Sequence, residues 1–148
     1  MKLSVPMSNP PRRVMRILVV DDHESLAQAL ARLLRHEGHV VTTANTFASA
    51  LALGTGPDPP DTLVCDIDLP DGDGCDLLRR LVAVRGDRAL PAIAVTGFSE
   101  DWVERCRMAG YRQLLTKPFQ FAEILKAINA LGDHQPRGLG GVPTPIPC

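Results

Sequence analysis

The sequence predicts a doubly wound α/β domain: a five-stranded parallel sheet in the order 2-1-3-4-5, with five helices covering both faces. Three observations predict it. Short, nearly continuous apolar runs alternate with longer segments in which leucine or alanine recurs every three or four residues. The runs are rich in β-branched residues, as strands buried on both faces must be. Acidic, hydroxyl and basic residues stand just past the ends of the runs, where open parallel sheets carry their functional crevice.

The elements follow in order. Arg16 to Asp21 (RILVVD) is an apolar run ending in acid, the first strand. Leu26, Leu30, Leu33 and Leu34 recur at helical spacing, and Glu37-Gly38 supplies a stop. His39 to Ala44 is a short β-branched strand, followed by an alanine-rich helix near Thr46 to Leu53 and a loop from Pro57 to Asp61. Thr62 to Asp66 (TLVCD) is the third strand and Asp76 to Val84 the third helix. Leu90 to Thr96 makes the fourth strand and Ser99 to Met108 the helix after it. Gln113 to Thr116 is the fifth strand, and Phe121 to Leu131 the last helix.

The folded body is therefore expected over residues 15 to 131, with residues 1 to 14 and 132 to 148 disordered. The first segment has no hydrophobic period, and the last combines four prolines with four glycines. At 148 residues there is room for one domain and one continuous core. The longest apolar stretches, such as Ile17 to Val20, are too short to span a bilayer. Lys2, Arg12 and Arg13 are followed by no apolar segment of signal-peptide length, so a cytoplasmic location is expected.

A formal net charge of −1 leaves no large basic field, so direct DNA binding is not expected. Cys65, Cys75, Cys106 and Cys148 contain no C-x-x-C pair and match neither a zinc site nor a disulfide scaffold. They read as core thiols plus one terminal thiol. Of the 16 basic residues only Lys2, Lys117 and Lys126 are lysine. His23, His36, His39 and His134 share no ligand spacing, and His23, beside the acid pair and able to contact it, reads first as a surface residue.

The chemistry-bearing residues fall after consecutive strand ends. Asp21-Asp22 close strand one, Asp66 strand three, Thr96 strand four and Lys117 strand five. With strands one and three adjacent, three carboxylates meet, and close carboxylates repel unless compensated. Mg²⁺, which favours one or two carboxylates, retained waters and a phosphate oxygen, would resolve this. Lys117 and Thr96 offer an ammonium and a hydroxyl to phosphoryl oxygens. The set suits phosphoryl transfer to Asp66, giving an acyl phosphate. Gly97, with no side chain, leaves space for that group, and Lys117-Pro118 is a candidate cis bond.

Four motifs now carry a resemblance: LVVDD, CDIDLPDGDG, AVTG and LLTKPF. Over roughly residues 15 to 131 the chain resembles a response-regulator receiver domain of two-component signalling, of the single-domain, chemotaxis type with a flavodoxin-like fold. The resemblance implies that Asp66 is the phosphoacceptor, with Asp22, Asp66 and the backbone carbonyl of Asp68 binding Mg²⁺ and Asp21 acting partly through water. It implies that Thr96 and Lys117 sense the phosphate. The implied partners are a histidine kinase or phosphotransfer protein and a downstream protein target; a homodimer is also compatible. The segment GFSEDWVERCRMAG and the fifth strand would form the partner face, with Trp102 either a contact anchor or core. Two positions depart from or tune the pattern. Leu114 stands where the family often places a switch aromatic, and Phe98, like Asp68, stands where the family tunes phosphoryl lifetime.

Other readings compete. Asp21-Asp22 alone could be a helix cap, Thr96 likewise, and Lys117 an exposed turn residue. The acidic loop Asp66, Asp68, Asp71, Asp73 fails as a calcium loop, because no D-x-[DN]-x-[DN]-G with a distal Glu aligns. A small aspartyl-nucleophile phosphatase of haloacid-dehalogenase type would use Asp66-Ile67-Asp68, but Pro70 stands where that family has Thr or Val. A phosphate-independent interaction module is the remaining alternative.

Overall fold

A computed structural model describes residues 13–86, 89–97 and 100–133. The strands are β1 (Arg16–Val20), β2 (Val40–Ala44), β3 (Thr62–Asp66), the two-residue β4 (Asp68–Leu69) and β5 (Gly72–Asp73), β6 (Ala92–Thr96) and β7 (Gln113–Thr116). The helices are α1 (Glu24–His36), α2 (Phe47–Gly54), α3 (Gly74–Arg85), α4 (Glu100–Ala109) and α5 (Phe121–Asp133). The five longer strands form one parallel sheet in the order β2-β1-β3-β6-β7, the expected 2-1-3-4-5.

Alternation along the strands builds two cores. Ile17 and Val19 of β1, Val64 of β3 and Ile93 and Val95 of β6 face α1 and α5, meeting Leu30, Leu34, Ile124 and Ile128. Leu18 and Val20, Leu63 and Cys65, Ala92 and Ala94 face the opposite way, against Leu77, Leu78 and Leu81 of α3 and Tyr111. Both faces being covered explains why the strands read as unbroken apolar runs. Cys65, Cys75 and Cys106 are buried free thiols, as expected of core residues. The Tyr111 hydroxyl donates to the carbonyl of Gly74 at 2.8 Å, so its one polar atom is satisfied inside the core.

Local chemistry sets the element ends. Gly38 after α1 and Gly110 after α4 have φ of +99° and +112°, a backbone region that disfavours any side chain. Thr46 caps α2 by accepting from the Ser49 amide at 3.1 Å. Asp73 caps α3 by accepting from Asp76 N–H at 2.9 Å, which starts that helix two residues before the predicted Asp76. The β4–β5 hairpin lies where the sequence predicts only an acidic loop, because ladders of two residues are too short for any periodicity to register.

The expectations for residues 1 to 12 and 134 to 148 lie outside the described residues, and α5 continues to Asp133, two residues past the predicted end. No helix among the described residues is long and apolar enough to cross a membrane.

Candidate phosphoacceptor site

Parallel pairing carries the candidate residues to one edge of the sheet. Asp21 follows the last residue of β1, Asp66 and Thr96 end β3 and β6, and Lys117 follows β7. Register keeps them level: Asp66 pairs with Val95, and Thr96 with Thr116. The amide of Lys117 donates to the carbonyl of Thr96 at 2.8 Å, so the chain leaves β7 directly beside β6. The Lys117-Pro118 peptide bond is cis.

The Lys117 ammonium lies 3.1 Å from Asp66 Oδ2 and 3.1 Å from Asp21 Oδ2. Both carboxylates are almost fully buried, their side chains 6% and 3% exposed, while the lysine retains 23%. Each carboxylate's other oxygen is held by a backbone amide two residues on. Asp21 Oδ1 accepts from His23 N–H at 2.9 Å, and Asp66 Oδ1 from Asp68 N–H at 3.2 Å. Asn45 fixes the Asp21 backbone, its Nδ2 donating to that carbonyl at 2.9 Å.

Burial pushes the Asp66 carboxyl above its ordinary range, and the hydrogen bond and charge of Lys117 only partly offset this. For Lys117, burial acts downward, but the bonds and charges of Asp66 and Asp21 outweigh it and hold the ammonium above its ordinary value. One lysine therefore shares its charge between two buried carboxylates and leaves Asp66 incompletely compensated.

A family model described as the response regulator receiver domain matches residues 17–129. The chain belongs to the response regulator receiver family. It is 37% identical over 119 residues to the probable transcriptional regulatory protein TcrX of Mycobacterium tuberculosis, covering 78% of this chain and 48% of that one. It is 33% identical over 115 residues to a 14.6 kDa protein of Leptolyngbya boryana, covering 77% of this chain and 87% of that one. The chain thus spans about half the length of the first relative and most of the second. Among solved structures, a CheY-like receiver domain protein of Methanospirillum hungatei superposes with a TM-score of 0.75 at 29% identity, covering 83% of this chain and 97% of that one. This places the chain among the receivers of two-component systems, a family in which aspartyl phosphorylation and Mg²⁺ are typical.

The receiver's donor set fits that ion. Asp21, Asp22 and Asp66 offer hard carboxylate oxygens, and Asp66 among them is a buried carboxyl whose charge is under-compensated. The structure does not bring the three carboxylates equally close. Among the described residues, the compact group of possible ligands is Asp21, Asp22 and His23. Lys117 stands between Asp21 and Asp66.

His23 is exposed, as the surface reading has it, and it also reaches the acid pair beside it. Its side chain is 72% exposed, yet Nδ1 lies 3.5 Å from Asp21 Oδ1 and 3.6 Å from Asp22 Oδ1, at the mouth of the receiver site. Position directly after the acid pair was the available signal.

The other positions sort as follows. Thr96 is buried at the end of β6. Among the described residues, an added Cβ at Gly97 would meet nothing within 4 Å beyond its chain neighbours. Leu114 packs partly buried against the core where family members often carry an aromatic residue. Trp102 is half-buried against the same core, with the Arg105 guanidinium 4.4 Å from its ring centre, so it is neither pure anchor nor pure core. Phe98 lies outside the described residues.

Sequence reasoning missed the anchoring of the β4–β5 hairpin. Asp71 accepts from the amides of Phe47 and Ala48, and Asp73 accepts from Arg105 of α4 at 3.0 Å. Neither bond has a local signature.

Proposed function

We propose that this receiver accepts a phosphoryl group on Asp66 from the phosphohistidine of a histidine kinase or phosphotransfer protein. The observation that carries this reading is the shared Lys117 ammonium, 3.1 Å from the carboxylates of both Asp66 and Asp21 at the carboxyl edge of the sheet. A carboxylate oxygen of Asp66 attacks phosphorus in line, the bond from phosphorus to the donor nitrogen breaks, and an acyl phosphate forms. Lys117 turns from the carboxylate to a phosphoryl oxygen, and the Thr96 hydroxyl donates to another. Asp22, Asp66 and the carbonyl of Asp68 would hold Mg²⁺, with Asp21 acting partly through water. That ion supplies further positive charge against the phosphoryl oxygens. The domain is a signalling module, whose own chemistry is limited to taking up the phosphoryl group and losing it to water.

Output passes through a protein partner on α4 and β7 as Thr96 closes on phosphate. A net charge of −1 supports protein rather than DNA as that partner, and a cytoplasmic receiver, with a homodimer as a further arrangement, is the form this reading takes.

The test is intact-protein mass after incubation with a small phosphodonor. A single phosphoryl adduct is expected, dependent on Mg²⁺ and absent from Asp66→Asn. No adduct on the wild type would turn the reading toward a phosphate-independent interaction module, with Leu114 the first residue to re-examine.

A further inference from the structure

Helix α2 begins without an acidic residue in its first turn, and the side chain of its own cap, Thr46, accepts from the Ser49 amide rather than from those of Phe47 or Ala48. The amides of Phe47 and Ala48 would be left without partners. Both are taken by a residue 24 and 23 positions away: Asp71 Oδ1 accepts from Phe47 N–H at 2.7 Å, and Oδ2 from Ala48 N–H at 3.1 Å. Those bonds hold the exposed carboxyl of Asp71 below its ordinary range.

Asp71 sits at the tip of the β4–β5 hairpin, whose pairing joins Asp68 to Asp73 and Leu69 to Gly72 across the two-residue turn Pro70-Asp71. The hairpin starts two residues after the acceptor. Its first residue, Asp68, already donates to Asp66 Oδ1 at 3.2 Å. A second contact reinforces the tip: a Cβ on Gly72 would sit 2.6 Å from Cδ2 of Phe47, so the first residue of α2 packs closely on that backbone and a side chain there would displace its ring. The base is fixed by Asp73, which caps α3 and pairs with Arg105. The segment carrying Asp68 is thus clamped at both ends, and the clamp on α2 is Asp71.

We infer that Asp71 is a positioning residue of the phosphoacceptor site: by binding the first two amides of α2 it fixes the hairpin that presents Asp68 to Mg²⁺ beside Asp66. The inference rests on the proposed metal ligation by Asp68. It adds a residue that touches neither metal nor phosphate and acts through four residues of backbone. Groups supporting metal ligands commonly alter affinity when removed, and one acting through a hairpin should do so by about three- to tenfold.

The test is Mg²⁺ titration of the full chain, followed by the chemical shift of the Asp68 amide, alongside thermal unfolding. Asp71→Ala is expected to raise the Mg²⁺ Kd about three- to tenfold, and Asp71→Asn, which keeps one acceptor oxygen, to restore part of it. Thr46→Val removes the local cap of the same helix and lowers the unfolding midpoint, but should leave the Mg²⁺ Kd at the wild-type value. Wild-type affinity in Asp71→Ala would overturn the inference, as would an equal loss in Thr46→Val, which would reduce the effect to fraying of α2. If the alanine variant does not fold, Asp71→Asn carries the comparison, with wild-type affinity overturning the inference. Absence of Mg²⁺ binding by the wild type would overturn the site reading itself and the inference with it, and the two failures fall on different proteins.

Discussion

Lys117 Nζ and Asp66 Oδ2 lie 3.1 Å apart although 51 residues separate them in the chain. The pair exists because β7 and β3 flank β6 in the same parallel sheet, which sets their carboxyl ends side by side. It leaves Asp66 buried, oriented and only partly compensated, the condition of a carboxylate ready for more positive charge.

Lys117→Met should therefore keep the fold and lose the chemistry. The replacement preserves length and apolar stem but removes the charge that attracts phosphoryl oxygens. Losing one preorganised donor to developing charge costs on the order of a hundredfold in rate. A time course of adduct mass with a small phosphodonor measures it, and a wild-type rate would remove Lys117 from the mechanism.

His39 makes stability depend on pH. It is buried, and its Nδ1 accepts from the Met15 amide at 3.1 Å, a bond that protonation destroys. Burial lowers its pKa from 6.5, and the nearby charges of Glu37 and Asp61 oppose this without cancelling it. The unfolded chain then binds the proton first. The contribution is complete above pH 6.5 and is lost as pH falls toward the lowered folded value. Acidification from about pH 7.5 to about pH 5.5 should cost roughly 1 kcal/mol through this residue, the scale of one buried hydrogen bond. Denaturant titrations of wild type and His39→Gln should show a shallower pH slope in the variant.

Two glycines near the site should respond unequally to alanine. A Cβ on Gly74 would lie 2.9 Å from Ile67 Cδ1, 3.0 Å from Cys65 Sγ and 3.0 Å from the Asp66 carbonyl oxygen, which is backbone and cannot rotate away. Gly74→Ala should cost about 1–3 kcal/mol and slow acceptance on Asp66. Gly97→Ala meets nothing within 4 Å among the described residues beyond its chain neighbours and should change stability by less than about 0.5 kcal/mol. Equal losses in chemical denaturation would contradict the packing described for Gly74.

Arg105 and Asp73 separate a surface ion pair from a helix cap. Their 3.0 Å pair is substantially exposed, and Arg105 also stacks on Trp102. Arg105→Ala should cost less than about 1 kcal/mol while changing the emission of Trp102, the chain's one tryptophan. Asp73→Ala also loses the bond to Asp76 N–H and should cost more, about 0.5–2 kcal/mol from the cap alone. Unfolding curves of the two variants give the comparison.

Much of this was legible beforehand. The RILVV and TLVCD runs become β1 and β3, and the spaced leucines of residues 26 to 34 become α1, because strand and helix periods are written in adjacent residues. The acids, threonine and lysine at strand ends were legible for the same reason, since a strand's end is a local event. That His23 is exposed beside the acids was legible too, but not its distance to each, because which neighbours a side chain meets is decided by packing.

The sequence by itself determined the alternation of strand and helix, and the residue types waiting at each strand end. Tertiary structure decided which of them meet. Only parallel pairing across 51 residues gives Lys117 two carboxylates to share, and only the docking of α2 against the hairpin gives Asp71 the amides of Phe47 and Ala48. Such contacts depend on how distant segments pack. No pattern among adjacent residues encodes them, because the bonding partner comes from another part of the chain.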